Sequence, residues 1–531
     1  MKNRTKIYLP LLLALAIAFG IFLGSSLNYQ KRTMTFFGGS PQEKKIKRLI
    51  DYIQYDYVDE VDTDSLLDGT IKNMLDKLDP HSVYIPARER EGITESMNGK
   101  FVGIGIQFRM YKDSLTVIKV LKNGPSKNAG IKAGDRILIA NNDTLYGKHI
   151  TNNYVLKTLK GNPNTTVDLT VYRKSENKNI PIRITRGEVP IESVDAFYMI
   201  DDDLGYIKIN KFAATTYDEF KIALDDLLDQ GMEKLVLDLR HNPGGYMQVA
   251  TQIIDEFLED GKLIVFTKNK GNKVDKIYAS SKGDFEDGHV FVLINGASAS
   301  ASEIVAGALQ DNDKGTIVGR RSFGKGLVQQ EMNLGDGSAV RLTVSRYYTP
   351  TGRSIQKPYD HKGNAAYFND FERRFNKGEL LSLDSIKVND SLKFVTPKGK
   401  VVYGGGGIIP DVFVSLDTTR FFDNMHYRLL NNFVFDYIDS HRSDFQKLTL
   451  NEFLSDFEKD DDRLIDEYLK TVPKDFHKVR DSDIPNIKIY LKSLFAQELF
   501  DSNAFYKILN ERDKMIKKVK ELDKNGYPII Q

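Results

Sequence analysis

Strands and helices alternate between residues 205 and 319, and this order limits the fold more than any other feature of the chain. Lys234–Arg240 (KLVLDLR) is predicted as a buried strand, and a glycine turn follows it directly. Such alternation predicts an α/β domain with a sheet that is at least partly parallel. The predicted elements are the strands Gly205–Asn210, Lys234–Arg240, Leu263–Thr267, His289–Ile294, Thr316–Gly319 and Val340–Tyr348 and the helices Tyr217–Asp229, Met247–Leu258 and Ser302–Gln310.

At 531 residues the chain is too long for one ordinary domain. Residues 42–96 show apolar side chains at helical spacing, and Asp79-Pro80 is expected to end the second helix. Residues 97–187 consist of short β-runs between Gly, Asn and Pro. The predicted fold class is therefore a multidomain α/β chain. Its segments are a membrane helix at 1–26, a helical arm at 42–96, a β-rich module at 97–187, an α/β core at 193–416 with a polar insertion at 359–394, and a charged helical extension at 417–531.

The composition excludes several classes of function. The formal net charge is +2, with 75 basic and 73 acidic residues, which gives no support for nucleic-acid binding. The absence of cysteine excludes disulfides, thiol catalysis and cysteine-ligated metals. No H-E-x-x-H motif and no paired histidines at ligand spacing occur, so we predict neither a metal nor another cofactor.

The N-terminus predicts export. Lys2, Arg4 and Lys6 precede an uncharged apolar run, Ile7–Gly24, whose 18 residues would span roughly 27 Å as a helix. The run is long for a signal peptide, which favours an uncleaved anchor, and cleavage near Gly24 is the alternative. Basic residues flank both sides, so charge does not decide the orientation. We expect a single-pass inner-membrane protein with a periplasmic catalytic part, or a secreted or periplasmic protein if the segment is cleaved.

Two strand-to-loop junctions carry candidate chemistry. NGASASASEIVAGALQD (Asn295–Asp311) follows an apolar strand and opens a helix whose first N–H groups are unpaired and could stabilise an oxyanion. A serine helix cap is the simpler interpretation of that segment alone. The second junction, TIVGRRSFGKGLVQQ (Thr316–Gln330), contains G-x-x-x-x-G-K. Gly326 after the lysine has no hydroxyl for Mg²⁺, and a hairpin rather than a helix is predicted next, which argues against a nucleotide site.

Taken together, these motifs resemble the carboxyl-terminal processing (tail-specific) proteases of the S41 serine peptidase family. SASASE, FGKG, LDLRHNPGG, LDPHSVYIP and TPKGKVVYGGGGIIPDV occur in the expected order over residues 42–414. The resemblance implies that Ser300 is the nucleophile, Lys325 the base and Gln329 the residue that orients the lysine. The alignment of motifs favours Ser300 over Ser298 and Ser302.

The chemistry of this assignment is coherent. A serine hydroxyl needs a base to become a nucleophile, and a lysine can serve when burial lowers its pKa. GASAS is not a G-x-S-x-G elbow, because Ser300 replaces the last glycine. No histidine stands in a catalytic-looking context. The histidines are scattered at positions 81, 149, 241, 289, 361, 426, 441 and 477.

The resemblance also implies an oxyanion hole and a substrate-presenting module. The N–H of Ala301 and that of Gly244 or Gly245 are the candidate oxyanion donors. Residues 97–187 resemble a PDZ domain, which adds a peptide as an extra strand and captures its C-terminal carboxylate on loop N–H groups. The candidate tail-binding residues are Ile104, Gly105 and Ile106.

The leading hypothesis is a serine endopeptidase that recognises protein C-terminal tails through the PDZ-like module. A catalytically silent tail-binding scaffold on the same fold is the alternative. The predicted partners are protein substrates and, through the N-terminal segment, the membrane. A homo-oligomer or an adaptor complex stays open, as do the physiological substrate, processing versus degradation, and the role of residues 417–531. We also hypothesise that an unoccupied module leaves Ser300 and Lys325 misaligned.

Overall fold

The computed structural model describes residues 14, 17, 40–111, 113–121, 123–359, 365–418, 424–445, 448–473 and 479–526. The chain divides into two compact units, residues 1–73 and residues 74–531, which are described separately. The predicted membrane segment at 1–26 lies outside the described residues, apart from positions 14 and 17. Within the described part of the chain, no helix is long and apolar enough to cross a membrane.

The first unit contains the first part of the helical arm predicted at 42–96, and the rest of that segment lies in the second unit, where the strand Val83–Ile85 interrupts the helices. Helix α1 (Pro41–Tyr55) begins at a capping box, in which Ser40 and Glu43 each accept a hydrogen bond from the other's backbone N–H. Helix α2 (Thr63–Leu75) begins in this unit and ends in the second. Both helices are confirmed, but α2 ends before Asp79-Pro80, because a turn of bonds from Lys77 and Leu78 back to Met74 and Leu75 follows it.

The second unit opens with strand β1 (Val83–Ile85) and helix α3 (Ala87–Asn98) and continues into a small antiparallel β-module. In the strand β7, alternate side chains are buried, as expected of a sheet with one face on a core. The strand order is β3-β4-β5-β7-β8, with β6 on β5 and a separate β2–β9 ribbon. The elements are β2 (Lys100–Gly103), β3 (Ile106–Tyr111), β4 (Ser114–Val120), α4 (Pro125–Asn128), β5 (Arg136–Ala140), β6 (Asp143–Thr144), α5 (Asn152–Leu159), β7 (Thr166–Arg173), β8 (Lys178–Thr185) and β9 (Gly187–Pro190).

The α/β core contains a six-stranded sheet of order β10-β11-β12-β15-β16-β21, which is parallel from β11 onwards. The strands and helices predicted between residues 205 and 348 are present, with ends within three residues of those predicted. The elements are β10 (Val194–Met199), β11 (Leu204–Ile209), α6 (Thr216–Asp229), β12 (Lys234–Asp238), α7 (Met247–Asp255), β13 (Leu263–Asn269), β14 (Val274–Tyr278), β15 (His289–Ile294), α8 (Ala301–Asp311), β16 (Gly315–Gly319), β17 (Leu327–Asn333), β18 (Ala339–Tyr348), α9 (Ala365–Phe368), α10 (Asp370–Asn376), β19 (Lys393–Val395), β20 (Val401–Tyr403) and β21 (Val412–Phe413).

A second, antiparallel sheet lies in the same unit, in the order β1-β18-β13-β14, with β17 also pairing with β18. The ten-residue strand β18 pairs with β17 and with β1. Strand β18 lies between β17 and β1, and the side chain of Gln329 on β17 reaches across to the carbonyl of His81 in the LDPHS loop before β1. Residues far apart in the sequence therefore meet at one place.

The C-terminal extension is helical, as predicted, and part of it packs on the core. Its helices are α11 (Asn424–Ser440), α12 (Leu450–Thr471), α13 (Ile484–Leu499), α14 (Ser502–Asn510) and α15 (Lys514–Asn525). One apolar cluster joins α6, α7 and α8 to the sheet. A second cluster joins Ile516 and Val519 of α15 to Val236 and Phe291 of the sheet. Successive parallel strands place their crossover helices on one face, so the extension supplies the cover of the other.

Helix α11 contacts the β-rich module. Arg136 of β5 pairs with Asp439 at 2.9 Å, and both side chains are largely buried. The guanidinium of Arg109 on β3 lies 4.4 Å from the ring centre of Phe435. Arg109 and Tyr111 alternate along β3 with Phe108 and Met110, which contact the module's own core. The extension is thus in contact with the module as well as with the sheet.

We expect Ile516→Ala to destabilise the protein by about 2–5 kcal/mol, because it leaves a cavity where α15 covers the sheet. Ile516 is 3% exposed and belongs to the second apolar cluster. The measurement is the free energy of unfolding in urea. Lys517→Ala, at the next and exposed position, is the control and should change it by less than about 0.5 kcal/mol. Equal effects of the two substitutions would contradict the assigned packing.

Candidate active site

Ser300 lies between strand β15 and helix α8, at the carboxyl end of the parallel strands. Its φ of 54° and ψ of −114° are unusual for a residue with a side chain and indicate local strain. The residue lines a cleft of about 540 Å³ together with Lys325 and Gln329. Sequence prediction placed these three residues in one site, and the structure brings them into this cleft.

The rival serines are engaged elsewhere. The hydroxyl of Ser298 donates to Leu239 O at 2.7 Å, and that of Ser302 donates to Asn242 O at 3.0 Å. Both side chains are fully buried. Their hydroxyls hold the LDLRHN turn, whereas Ser300 faces the cleft.

Lys325 has the environment that a lysine base needs. Burial and, to a smaller extent, the positive charge of Arg341 lower its pKa to about 8, while Glu303 and Asp79 oppose the shift. Its Nζ donates to Oε1 of Gln329 at 2.8 Å. Because an amide carries no net charge, Gln329 orients the amine without stabilising the ammonium as a carboxylate would. Among the described residues, no hydrogen bond joins Ser300 Oγ to Lys325 Nζ.

The LDLRHNPGG turn runs beside the nucleophile. A Cβ on Gly244 would lie 2.8 Å from Ser300 Cβ, so only glycine permits this approach. The N–H of Gly244 already donates to Asn242 Oδ1 at 2.8 Å. The N–H groups of Gly245 and Ala301 donate to no acceptor within the described residues. Of the two glycines left open by the sequence, Gly245 is therefore the better oxyanion donor, together with Ala301.

Sequence reasoning missed Glu303, which links Ser300 to the loop that carries Lys325. Its carboxylate accepts from the N–H groups of Ser300 (2.9 Å), Gly324 (2.7 Å) and Lys325 (2.8 Å) and from the Ser322 hydroxyl. The side chain is fully buried, and burial raises its pKa. The S-x-x-E spacing from Ser300 was a signal that could have identified it.

His81 also lies at the site, although we assigned no catalytic context to any histidine. Its backbone carbonyl accepts a hydrogen bond from the Gln329 side-chain amide. Burial, with Lys325 nearby, lowers the pKa of its imidazole to about 4. The position of His81 within the LDPHSVYIP motif could have identified it as a residue of the site. Asp238 and Arg240 form a buried ion pair, as expected of structural residues, and Arg240 also pairs with Asp513 of the extension.

The candidate tail-binding loop lies in the β-rich module. Gly105 has a φ of 77°, and a Cβ there would lie 2.6 Å from Gly124 Cα. The N–H groups of Ile104 and Gly105 donate to no acceptor in the described part of the chain. Ile106 opens β3, which ends the strand order of the module. A peptide could therefore add at this edge with its carboxylate on the loop. Among the described residues no group of metal-binding side chains occurs.

Comparison with protein families identifies most of the chain. Peptidase family S41 matches residues 203–361, and the PDZ domain family matches residues 102–184. The N-terminal domain of the activating protease CtpB matches residues 25–88. Residues 422–501 match a family of unknown function.

Several curated proteins are similar over much of their length. The carboxy-terminal-processing protease of Bartonella bacilliformis is 35% identical over 345 residues, covering 64% of this chain and 78% of that protein. The carboxy-terminal processing protease CtpB of Bacillus subtilis is 36% identical over 59% of this chain and 65% of its own. A solved structure, the photosystem II D1 C-terminal processing protease, is 24% identical and covers 70% of this chain and 86% of its own, with a TM-score of 0.35.

The lowered pKa of Lys325 predicts that its amine reacts with acylating reagents at a lower pH than an exposed lysine does. We expect acetylation of Lys325, followed by peptide mass spectrometry, to reach half its maximal rate near pH 8 in the folded protein. In urea the midpoint should return to about 10.4, since the burial is lost. Arg341→Gln should raise the folded midpoint, because it removes a positive neighbour. Identical midpoints in the folded and unfolded chains would contradict the assigned environment.

Proposed function

This chain belongs to the carboxy-terminal processing serine peptidases of family S41, and from that premise we propose that it is an endopeptidase with a Ser300/Lys325 dyad that cleaves proteins presented by their C-terminal tails. The observation that carries the proposal is the partly buried Lys325, held by Gln329, in one cleft with Ser300. A lysine with a pKa of about 8 is largely neutral at mildly basic pH and can accept a proton.

The proposed reaction has two steps. Lys325 Nζ takes the proton of Ser300 Oγ while that oxygen attacks the scissile carbonyl carbon, and the N–H groups of Gly245 and Ala301 stabilise the oxyanion. The ammonium of Lys325 then protonates the leaving amine. In the second step a water, deprotonated by Lys325, hydrolyses the acyl ester and restores Ser300.

The substrate class follows from the PDZ-like module. The N–H groups of Ile104 and Gly105, which have no acceptor among the described residues, suit a terminal carboxylate, and the edge strand β3 suits an extended peptide. Ile106, Phe108 and Met110 pack against the module's apolar core on one face of β3, which favours apolar tail residues. The proposal includes action on the exported side of the membrane, on the grounds of the basic and apolar pattern at residues 2–24.

Full-length protein, assayed with EDTA and without nucleotide on an unfolded substrate, should cleave it, whereas Ser300→Ala and Lys325→Ala should lose about 10³-fold or more in kcat/KM. The wild-type rate should rise with pH up to about 8 and then level off, because only the neutral amine is a base. Lys276→Ala, an exposed lysine on β14, is the control and should match the wild type. Activity surviving in Ser300→Ala would show that the nucleophile is wrongly assigned.

The tail-capture part of the proposal predicts a substrate preference. The same unfolded substrate should be cleaved about tenfold faster with an apolar C-terminal tail than with an acidic one, because the acidic tail loses about 1.4 kcal/mol of binding. Amidation of the terminal carboxylate should remove the advantage. Equal rates for all three substrates would reject tail capture without affecting the dyad. Tail binding with no cleavage by any variant would favour the scaffold function instead.

A further inference from the structure

The segment expected as a polar insertion, residues 359–394, is described at residues 359 and 365–394, and its described part packs against the loop that carries Lys325. Arg321 of this base loop (residues 321–326) forms a two-bond ion pair with Glu379, at 2.7 and 2.6 Å. Arg374, which is 3% exposed, donates to the carbonyl of Arg321 at 3.0 Å. Charged residues of the insertion are thus buried against Arg321 at the start of the base loop instead of facing solvent.

Tyr367 of the insertion reaches the other end of the base loop. Its hydroxyl lies 2.9 Å from Nε2 of His81 and 3.0 Å from Nε2 of Gln356. The Oε1 atom of Gln356 accepts the N–H of Gly326 at 2.9 Å. The backbone carbonyl of His81 accepts the side-chain amide of Gln329. The Tyr367 hydroxyl therefore connects the residue that holds Gln329, which is His81, with the residue that holds Gly326, which is Gln356.

The proton positions in this network follow from its donors. The Gln356 amide can only donate through Nε2, so it donates to the tyrosine oxygen. The tyrosine hydrogen is then available for His81 Nε2, which must be unprotonated to accept it. A neutral imidazole fits its burial and its position near Lys325 and Lys357. In this arrangement Gln356 donates to Tyr367 and Tyr367 donates to His81, so each group in the series has a hydrogen-bond partner.

Aromatic rings surround the hydrogen bond between His81 and Tyr367. His81 packs edge-on against Tyr367 and Phe323, at centroid distances of 5.3 and 6.1 Å. Lys357 lies 3.8 Å from the ring centre of Phe323 and donates to the Tyr367 carbonyl at 2.9 Å. Tyr367 itself is 8% exposed. The insertion contributes to a water-poor wall beside the base loop.

We propose that Tyr367 is a positioning residue for the catalytic base, acting through His81 on Gln329 and through Gln356 on Gly326. The inference rests on the proposed function, since it assumes that Lys325 is the base. The insertion is accordingly part of the catalytic apparatus, and the loss of one tyrosine hydroxyl should loosen the hydrogen bond that orients Lys325.

Tyr367→Phe in the full-length chain should lower kcat about tenfold and leave KM within about twofold, because it removes the hydroxyl that joins His81 and Gln356 without touching the substrate. Tyr278→Phe, an exposed tyrosine on β14, is the matched control and should match the wild type. In a Gln329→Ala background, Tyr367→Phe should cause a clearly smaller further loss, since only the branch through Gln356 to Gly326 then remains. An unchanged kcat, or an equal tenfold loss in both backgrounds, would overturn the inference.

A second readout separates this inference from the proposed function. The rate at which a fluorophosphonate labels Ser300 depends on the base but needs no protein substrate. Tyr367→Phe should slow the labelling about tenfold. If the wild type is labelled but cleaves no substrate, the proposed function is wrong. The effect of Tyr367→Phe on labelling would then still test the inference. If the wild type is not labelled, both fail.

A folding defect would be detected by circular dichroism. If Tyr367→Phe does not fold, Gln356→Met tests the same network from the other side, because it removes the bond to Gly326 and the donor to Tyr367. We expect the same tenfold loss of labelling. Labelling at the wild-type rate by folded Gln356→Met would overturn the proposal.

Discussion

The carboxylate of Glu303 is the interaction on which the active site depends. It lies in the first turn of the nucleophile helix and accepts hydrogen bonds from Ser300, from Ser322 and from two amides of the base loop. A single buried group therefore sets the distance between the nucleophile and the base. A buried carboxylate without these donors would cost several kcal/mol, so the four bonds are needed for it to remain there.

Burial also lowers the pKa of Lys325, which favours its neutral amine. Desolvation disfavours the ammonium and makes the amine available near neutral pH, whereas a carboxylate partner would restore the charge. The neutral Gln329 is the direct partner of Nζ, and Glu303 binds the backbone of Lys325 rather than its side chain. The site thus keeps negative charge close enough to hold the loop without pairing it with the base.

Local patterns predicted the elements of the core well, because buried strands and amphipathic helices are encoded in short stretches such as Lys234–Asp238. The resemblance of the motifs to family S41 also singled out Ser300, Lys325 and Gln329, which line one cleft. The residues that hold these three side chains in position could not be predicted. His81 and Tyr367 lie 286 positions apart and meet only through tertiary structure. Periodicity contains no information about such pairs.

The site joins two sheets, and this explains why its supports come from so many segments. Ser300 belongs to the parallel sheet, whereas Gln329 lies on β17 of the antiparallel one. A rigid alignment of nucleophile and base therefore requires bonds that bridge the sheets. The hydroxyl of Tyr347 on β18 shares its one hydrogen between the carbonyls of Lys325 (2.7 Å) and Ser300 (3.1 Å), which makes it such a bridge beside Glu303. Any motion of one sheet against the other must strain these bonds first, so the catalytic geometry depends on the relation between the sheets.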